Sequence, residues 1–92
     1  MKINFSKRFR ACLRDASDVE LQAVERACRL AEEAFGQPHR HAGVGLRRLG
    51  RNQFECRAGL NRRLVFSRGE DVLLFDFACS HDEVQAYFRN RG

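Results

Sequence analysis

Apolar residues change their spacing along this 92-residue chain, and the changes mark its elements. Lys2, Ile3, Asn4 and Phe5 alternate polar and apolar, the period of a strand with one covered face. Ser6 stands where a helix cap is needed, ahead of Phe9, Cys12 and Leu13 at helical spacing. The clearest helix follows. Ser17 and Glu20 form an S-x-x-E capping box, and Leu21, Val24, Cys28, Ala31 and Phe35 recur at three- and four-residue steps. Ala27, Leu30 and Ala34 widen that stripe, and Gly36 and Pro38 end it.

Residues 37–45 read as loop, broken repeatedly by Gly and Pro. Leu46 and Leu49 anchor a short segment whose Arg47, Arg48 and Arg51 point elsewhere. From Gln53 the period becomes two, with Phe54, Cys56 and Ala58 on one face and Glu55 and Arg57 on the other. Gly59, Leu60 and Asn61 make a turn into a second strand over residues 62–67, where Leu64 and Phe66 share one face and Arg63 and Val65 the other. After a turn at residues 68–71, Val72–Cys79 is apolar on both faces, as a central strand would be. Ser80 and Glu83 form a second capping box, ahead of a final helix with Val84, Tyr87 and Phe88 on its apolar side.

The expected order is β-α-α-β-β-β-α. That is an α+β fold, with two antiparallel N-terminal helices packed on a short, mainly antiparallel sheet of three or four strands. Phe35, Phe54, Cys56, Leu64, Phe66 and Leu74 are the expected core. The length suits one domain over residues 1–92, with ligands confined to a face or shallow groove. The longest aliphatic and aromatic run, Val72 to Phe75, is far short of the ~20 residues a bilayer span needs. Charge without an apolar stretch at the N-terminus gives no secretory signal, so a cytoplasmic protein without membrane contact is expected. Cys12, Cys28, Cys56 and Cys79 lack any C-x-x-C pairing and read as reduced core thiols.

Charge sharpens the picture. The net charge is +5, but residues 40–68 hold eight Arg against one acid, Glu55, while the remainder is slightly acidic. Arg40, Arg47, Arg48, Arg51, Arg62 and Arg68 are therefore candidate nucleic-acid contacts, since guanidinium groups suit bidentate phosphate binding. If the hairpin turns Arg57 and Arg63 away from the helices, they become cross-strand neighbours. Two such cations repel unless an anion or Glu55 lies between them; the competing reading is an ordinary solvated face with Glu55 paired to one Arg. His81 falls in the first turn of the last helix, where the helix dipole favours a neutral imidazole able to accept a proton. It also reads simply as a surface histidine after a cap. His39 and His41 flank Arg40 with no Cys nearby in sequence, which argues against zinc and for a basic loop that touches phosphate. No phosphate-binding glycine loop and no G-x-S-x-G occurs, and no cofactor is expected.

Gly45-Leu46-Arg47-Arg48-Leu49, Phe54-Glu55-Cys56-Arg57, Arg62-Arg63-Leu64-Val65-Phe66 and His81-Asp82-Glu83-Val84 follow one another in an order and spacing that resembles the RelE/ParE toxin superfamily. The resemblance implies the toxin of a type II toxin–antitoxin pair, with a cognate antitoxin as partner. In the RelE-like branch it implies metal-independent cleavage of mRNA in the ribosomal A site, with the ribose 2′-hydroxyl as nucleophile. Arg63 then matches an arginine that stabilises phosphate charge, Arg57 a basic residue of the same groove, and His81 a position near an acid–base residue. Two departures stand out: no Lys follows Lys7, and Gln85 occupies a position where an aromatic residue is common. The ParE-like branch, which binds DNA gyrase and cleaves nothing, shares the fold and needs none of these residues. A RelE-fold protein that has lost activity, and a plain RNA-binding module, are the remaining readings.

Overall fold

The computed structural model describes residues 1–36, 46–60 and 62–80, together with Glu83 and Ala86. Strand β1 (Lys2–Phe5) leads into helix α1 (Lys7–Cys12), and helix α2 (Asp18–Gly36) follows. Strands β2 (Arg47–Arg48), β3 (Gln53–Ala58), β4 (Arg62–Gly69) and β5 (Val72–Cys79) complete the described elements. They form one five-stranded sheet in the order β1-β5-β4-β3-β2. The fold is α+β, with a mixed sheet and two helices.

Both helices begin as their sequences require. The Phe9 backbone N–H donates to Ser6 Oγ at 3.0 Å. At α2 the Ser17 N–H donates to Glu20 Oε1 at 3.0 Å, and the Glu20 N–H returns the bond to Ser17 Oγ at 3.2 Å. Val24, Ala27, Cys28, Ala31 and Ala34 turn the buried stripe of α2 onto the sheet, while Leu21 and Leu30 stay largely exposed on its flanks. Facing them are Cys56, Ala58, Leu64, Phe66, Leu73, Phe75 and Ala78, with Phe9 arriving from α1. The aromatic centre is continuous: Phe66 contacts Phe75 at 4.8 Å between ring centroids, and Phe35 meets Phe54 edge-on at 5.0 Å.

Three expectations need correction. The strands after α2 number four, because Arg47 and Arg48 pair antiparallel with Glu55 and Phe54 as a short edge strand. β1, the expected first strand, joins the sheet parallel to β5, with Ile3 opposite Leu73, so the sheet is mixed at that edge. Leu74 is not core: it is 39% exposed, whereas Leu73 is 0% exposed. Leu74 pairs with Ser67 on the face away from the helices, and Leu73 pairs with Arg68 on the helix face.

A β-bulge decides the rest of β5. Val65 pairs with Phe77 but the next residue, Phe66, pairs with Phe75, so Asp76 is the extra residue. Phe75 therefore points at the helices, while Phe77 joins Val65 in a small apolar cluster on the opposite face with Leu49 and Cys79 packed against it. Ser6 ties α1 to this irregularity: its N–H donates to the Phe75 carbonyl at 3.0 Å and its hydroxyl to the Asp76 carbonyl at 2.6 Å. These bonds satisfy the edge of β5 where β1 ends. The turn into β5 places Asp71 at φ 56°, a left-handed conformation that Asp tolerates better than most residues. The expected loop over residues 37–45 and the body of the final helix lie outside the described residues. The Ser80 box that opens that helix is present, with the Ser80 N–H donating to Glu83 Oε1 at 3.1 Å and the Glu83 N–H to Ser80 Oγ at 3.2 Å.

Candidate functional site

The sheet face turned away from α2, which α1 borders through Cys12 and through Arg8 over the Phe77 ring, carries the charged residues of interest. Antiparallel pairing places Arg57 directly opposite Arg63 across β3 and β4, and Arg63 opposite Cys79 on β5. Directly opposed residues on one face have Cβ atoms roughly 5 Å apart, so the two arginine side chains leave the sheet from neighbouring points. Arg57 is exposed and Arg63 half-buried. Neither has an ion-pair or hydrogen-bond partner among the described residues.

The adjacent row on this face is Arg47, Glu55, Val65 and Phe77. Glu55 is buried, and its Oε1 lies 3.4 Å from Arg47 Nε. Its Oε2 is buried without a hydrogen-bond partner among the described residues. Glu55 therefore pairs with Arg47 rather than bridging Arg57 and Arg63, and the two arginines are left facing each other.

The other candidate arginines disperse. Arg62 Nη2 donates to Glu20 Oε2 at 2.9 Å and Nη1 to the Cys12 carbonyl at 3.4 Å, which joins β4 to both helices. This link and the Ser17 N–H hold the Glu20 carboxyl at a pKa of about 2, the Ser17 bond being the larger cause. Arg68 lies on the helix face, its guanidinium 5.0 Å from the Phe35 ring centroid. Arg48 caps the β2–β3 turn, donating from Nε to the Gly50 carbonyl at 2.9 Å and from Nη2 to the Arg51 carbonyl at 3.0 Å. Arg51 is exposed in that turn. His81, Arg40, His39 and His41 lie outside the described residues. The structure thus brings Arg47, Glu55, Arg57 and Arg63 together on one face, and places Arg62 and Arg68 in packing roles. Arg47 as part of this group was the least legible member, since only pairing with β3 sets its face.

Three of the four thiols are held in the protonated form. All four cysteines are free, and burial pushes Cys28, Cys56 and Cys79 up to about 12, so they stay protonated near neutrality. Among the described residues no group of three or more His, Cys, Asp or Glu side chains is placed to hold a metal ion. No described helix is long and apolar enough to cross a membrane.

Solved toxin structures share this architecture. RelE in the RelB–RelE antitoxin–toxin complex of Methanococcus jannaschii superposes with a TM-score of 0.63 at 17% identity, over 92% of this chain and 98% of that one. YafQ in the DinJ–YafQ toxin–antitoxin complex of E. coli gives a TM-score of 0.69 at 12% identity, covering 90% of this chain and 94% of that one. A YoeB/ParE toxin from Agrobacterium tumefaciens gives 0.63 at 17% identity, over 88% and 99%. The fold is that of the RelE/ParE toxins. In sequence, no protein-family model matches the chain and no curated protein does. The RelE/ParE-like likeness therefore rests on three-dimensional arrangement and on the four short motifs between Gly45 and Val84.

Proposed function

We propose that this chain is the toxin of a type II toxin–antitoxin pair and acts as a metal-independent endoribonuclease on translated mRNA. The observation that carries the reading is the direct opposition of Arg57 and Arg63 on the sheet face away from α2, without an anionic partner among the described residues. Like charges placed opposite each other destabilise a sheet pair. A bound phosphate removes that penalty and turns the pair into a preorganised anion clamp.

The chemistry is transesterification within the RNA. The ribose 2′-oxygen forms a bond to the adjacent phosphorus, and the bond from phosphorus to the 5′-oxygen of the next nucleotide breaks. The 2′-hydroxyl proton passes to a base, and the leaving 5′-oxygen takes up a proton. Negative charge rises on the phosphorane in between, where two fixed guanidinium groups stabilise it. Proton transfer falls to His81, by its position in the sequence, or to Glu55. The partner expected for the free toxin is a cognate antitoxin, in keeping with the RelB–RelE and DinJ–YafQ complexes.

Expression of the chain without an antitoxin tests the reading. Growth arrest with discrete new 5′ ends inside translated mRNA is the expected result. Intact mRNA accompanied by gyrase-dependent DNA damage would replace it with the ParE-like activity, and unaffected growth would point to a fold that has lost its activity.

A further inference from the structure

Among the described residues Glu55 is the buried charged side chain: it is 1% exposed, on a sheet face beside Val65 and Phe77, with Arg8 of α1 over the Phe77 ring. Burying a carboxylate is costly unless it is paired. Its pairing is unequal. Arg47, whose Nε lies 3.4 Å from Glu55 Oε1, is 58% exposed. The buried acid thus lies against the Nε of a guanidinium whose side chain otherwise stays more than half exposed. An exposed arginine on a two-residue edge strand would otherwise spread over many rotamers, and holding it in one costs side-chain entropy. Glu55 meets that cost within the free protein. Along β3, Arg57 is two residues from Glu55, about 7 Å, and on the same face. Arg47 therefore stands one step from the Arg57–Arg63 pair.

We infer that Glu55 is a positioning residue, which through Arg47 fixes a third guanidinium on the phosphate next to the one held by Arg57 and Arg63. The inference rests on the RNA reading above and narrows it. A carboxylate with one oxygen against Arg47 and the other sealed from solvent is poorly placed to take a proton from a ribose. That task then goes to another group, and Glu55 acts on binding.

A double-mutant cycle with Glu55→Gln and Arg47→Ala tests this. The probe is a single-stranded RNA carrying 2′-O-methyl at every ribose, which cannot be cut and so reports binding alone. Glu55→Gln should weaken binding roughly tenfold in the wild-type background and hardly at all in Arg47→Ala, because either change removes the same ordered guanidinium from the RNA. Equal weakening in both backgrounds would overturn the inference. So would unaltered binding by Arg47→Ala, a change at an exposed position that keeps the test valid if Glu55→Gln does not fold. With RNA that can be cut, abolished turnover at saturating RNA on Glu55→Gln, in both backgrounds, would make Glu55 the proton acceptor and overturn it as well. If the wild-type chain binds no RNA, the RNA reading and the role of Arg47 fall together. The Arg47 Nε–H resonance, if displaced by Glu55→Gln in free protein, would then still report the pair itself.

Discussion

Arg57 and Arg63 meet because β3 and β4 are in a register that aligns them, with Cys56 opposite Leu64 on one side and Ala58 opposite Arg62 on the other. The apolar pairs on the helix face lock that register, since a slip of one residue would turn Cys56 and Leu64 out to solvent. Neither arginine has an ion-pair or hydrogen-bond partner among the described residues, and like charges placed opposite each other destabilise a sheet pair. Arg63→Ala should leave the thermal midpoint unchanged or slightly raised at low salt, while cleavage of RNA falls by ~10²–10³, the usual cost of one transition-state donor. Circular dichroism melts beside a single-turnover cleavage assay would check both halves. A large drop in the midpoint would show that Arg63 is structural and remove it from the site. The two-residue period through Phe54, Cys56, Leu64 and Phe66 put each arginine on the face opposite those residues, and the pairing of β3 with β4 makes them neighbours. The sequence alone could not show that Glu55 belongs to Arg47, which depends on an edge strand only two residues long.

At the scale of elements, the capped start of α2 is joined to β4 by the contact of Glu20 with Arg62, 42 residues apart in sequence. The carboxyl of Glu20 sits at about 2 rather than 4.5, held down first by the Ser17 N–H and then by Arg62. A depressed folded-state pKa means that the charged form stabilises the native state. The contribution is complete above the ordinary value of 4.5 and is lost as pH falls from there toward about 2. Wild type should therefore melt above Glu20→Gln near neutrality, and the gap should close across that window. Glu83, held low by Ser80 in the same manner, is common to both proteins and cancels. A constant gap from neutral to acid pH would show that Glu20 acts through shape, not charge. The capping boxes were visible in sequence because they are local, whereas the partner of Arg62 was not. The phase of β5 was hidden for a related reason: Val72, Leu73, Leu74 and Phe75 are apolar throughout, so nothing in the run marks Leu73 as the inward residue. The parallel pairing of β1 with β5 also joins opposite ends of the chain and leaves no local trace.

For the whole molecule, the question is which part of the +5 net charge meets RNA. The excess of arginine over residues 40–68 looks like one basic surface in sequence, yet the sheet divides it. Arg47, Arg57 and Arg63 stand on the outer face, Arg68 lies over Phe35 on the helix face, and Arg62 is engaged with Glu20. A phosphate contact releases counterions, so each contributes to the slope of log affinity against log salt, by about 0.7 for a single strand. Removing a true contact lowers that slope, while removing a distant charge leaves it nearly unchanged. Arg57→Ala and Arg63→Ala should each flatten the slope by about that amount, as should Arg47→Ala. Arg68→Ala should leave the slope as it is and lower stability instead, because it strips a cation from the Phe35 ring. The measurement is RNA binding at several salt concentrations for the four variants, with the uncuttable 2′-O-methyl strand as ligand. If Arg68→Ala flattened the slope as much as Arg57→Ala, the RNA would have to reach the helix side of the sheet. The outer face would then no longer account for binding, and a diffuse basic surface would replace the clamp of Arg57 and Arg63.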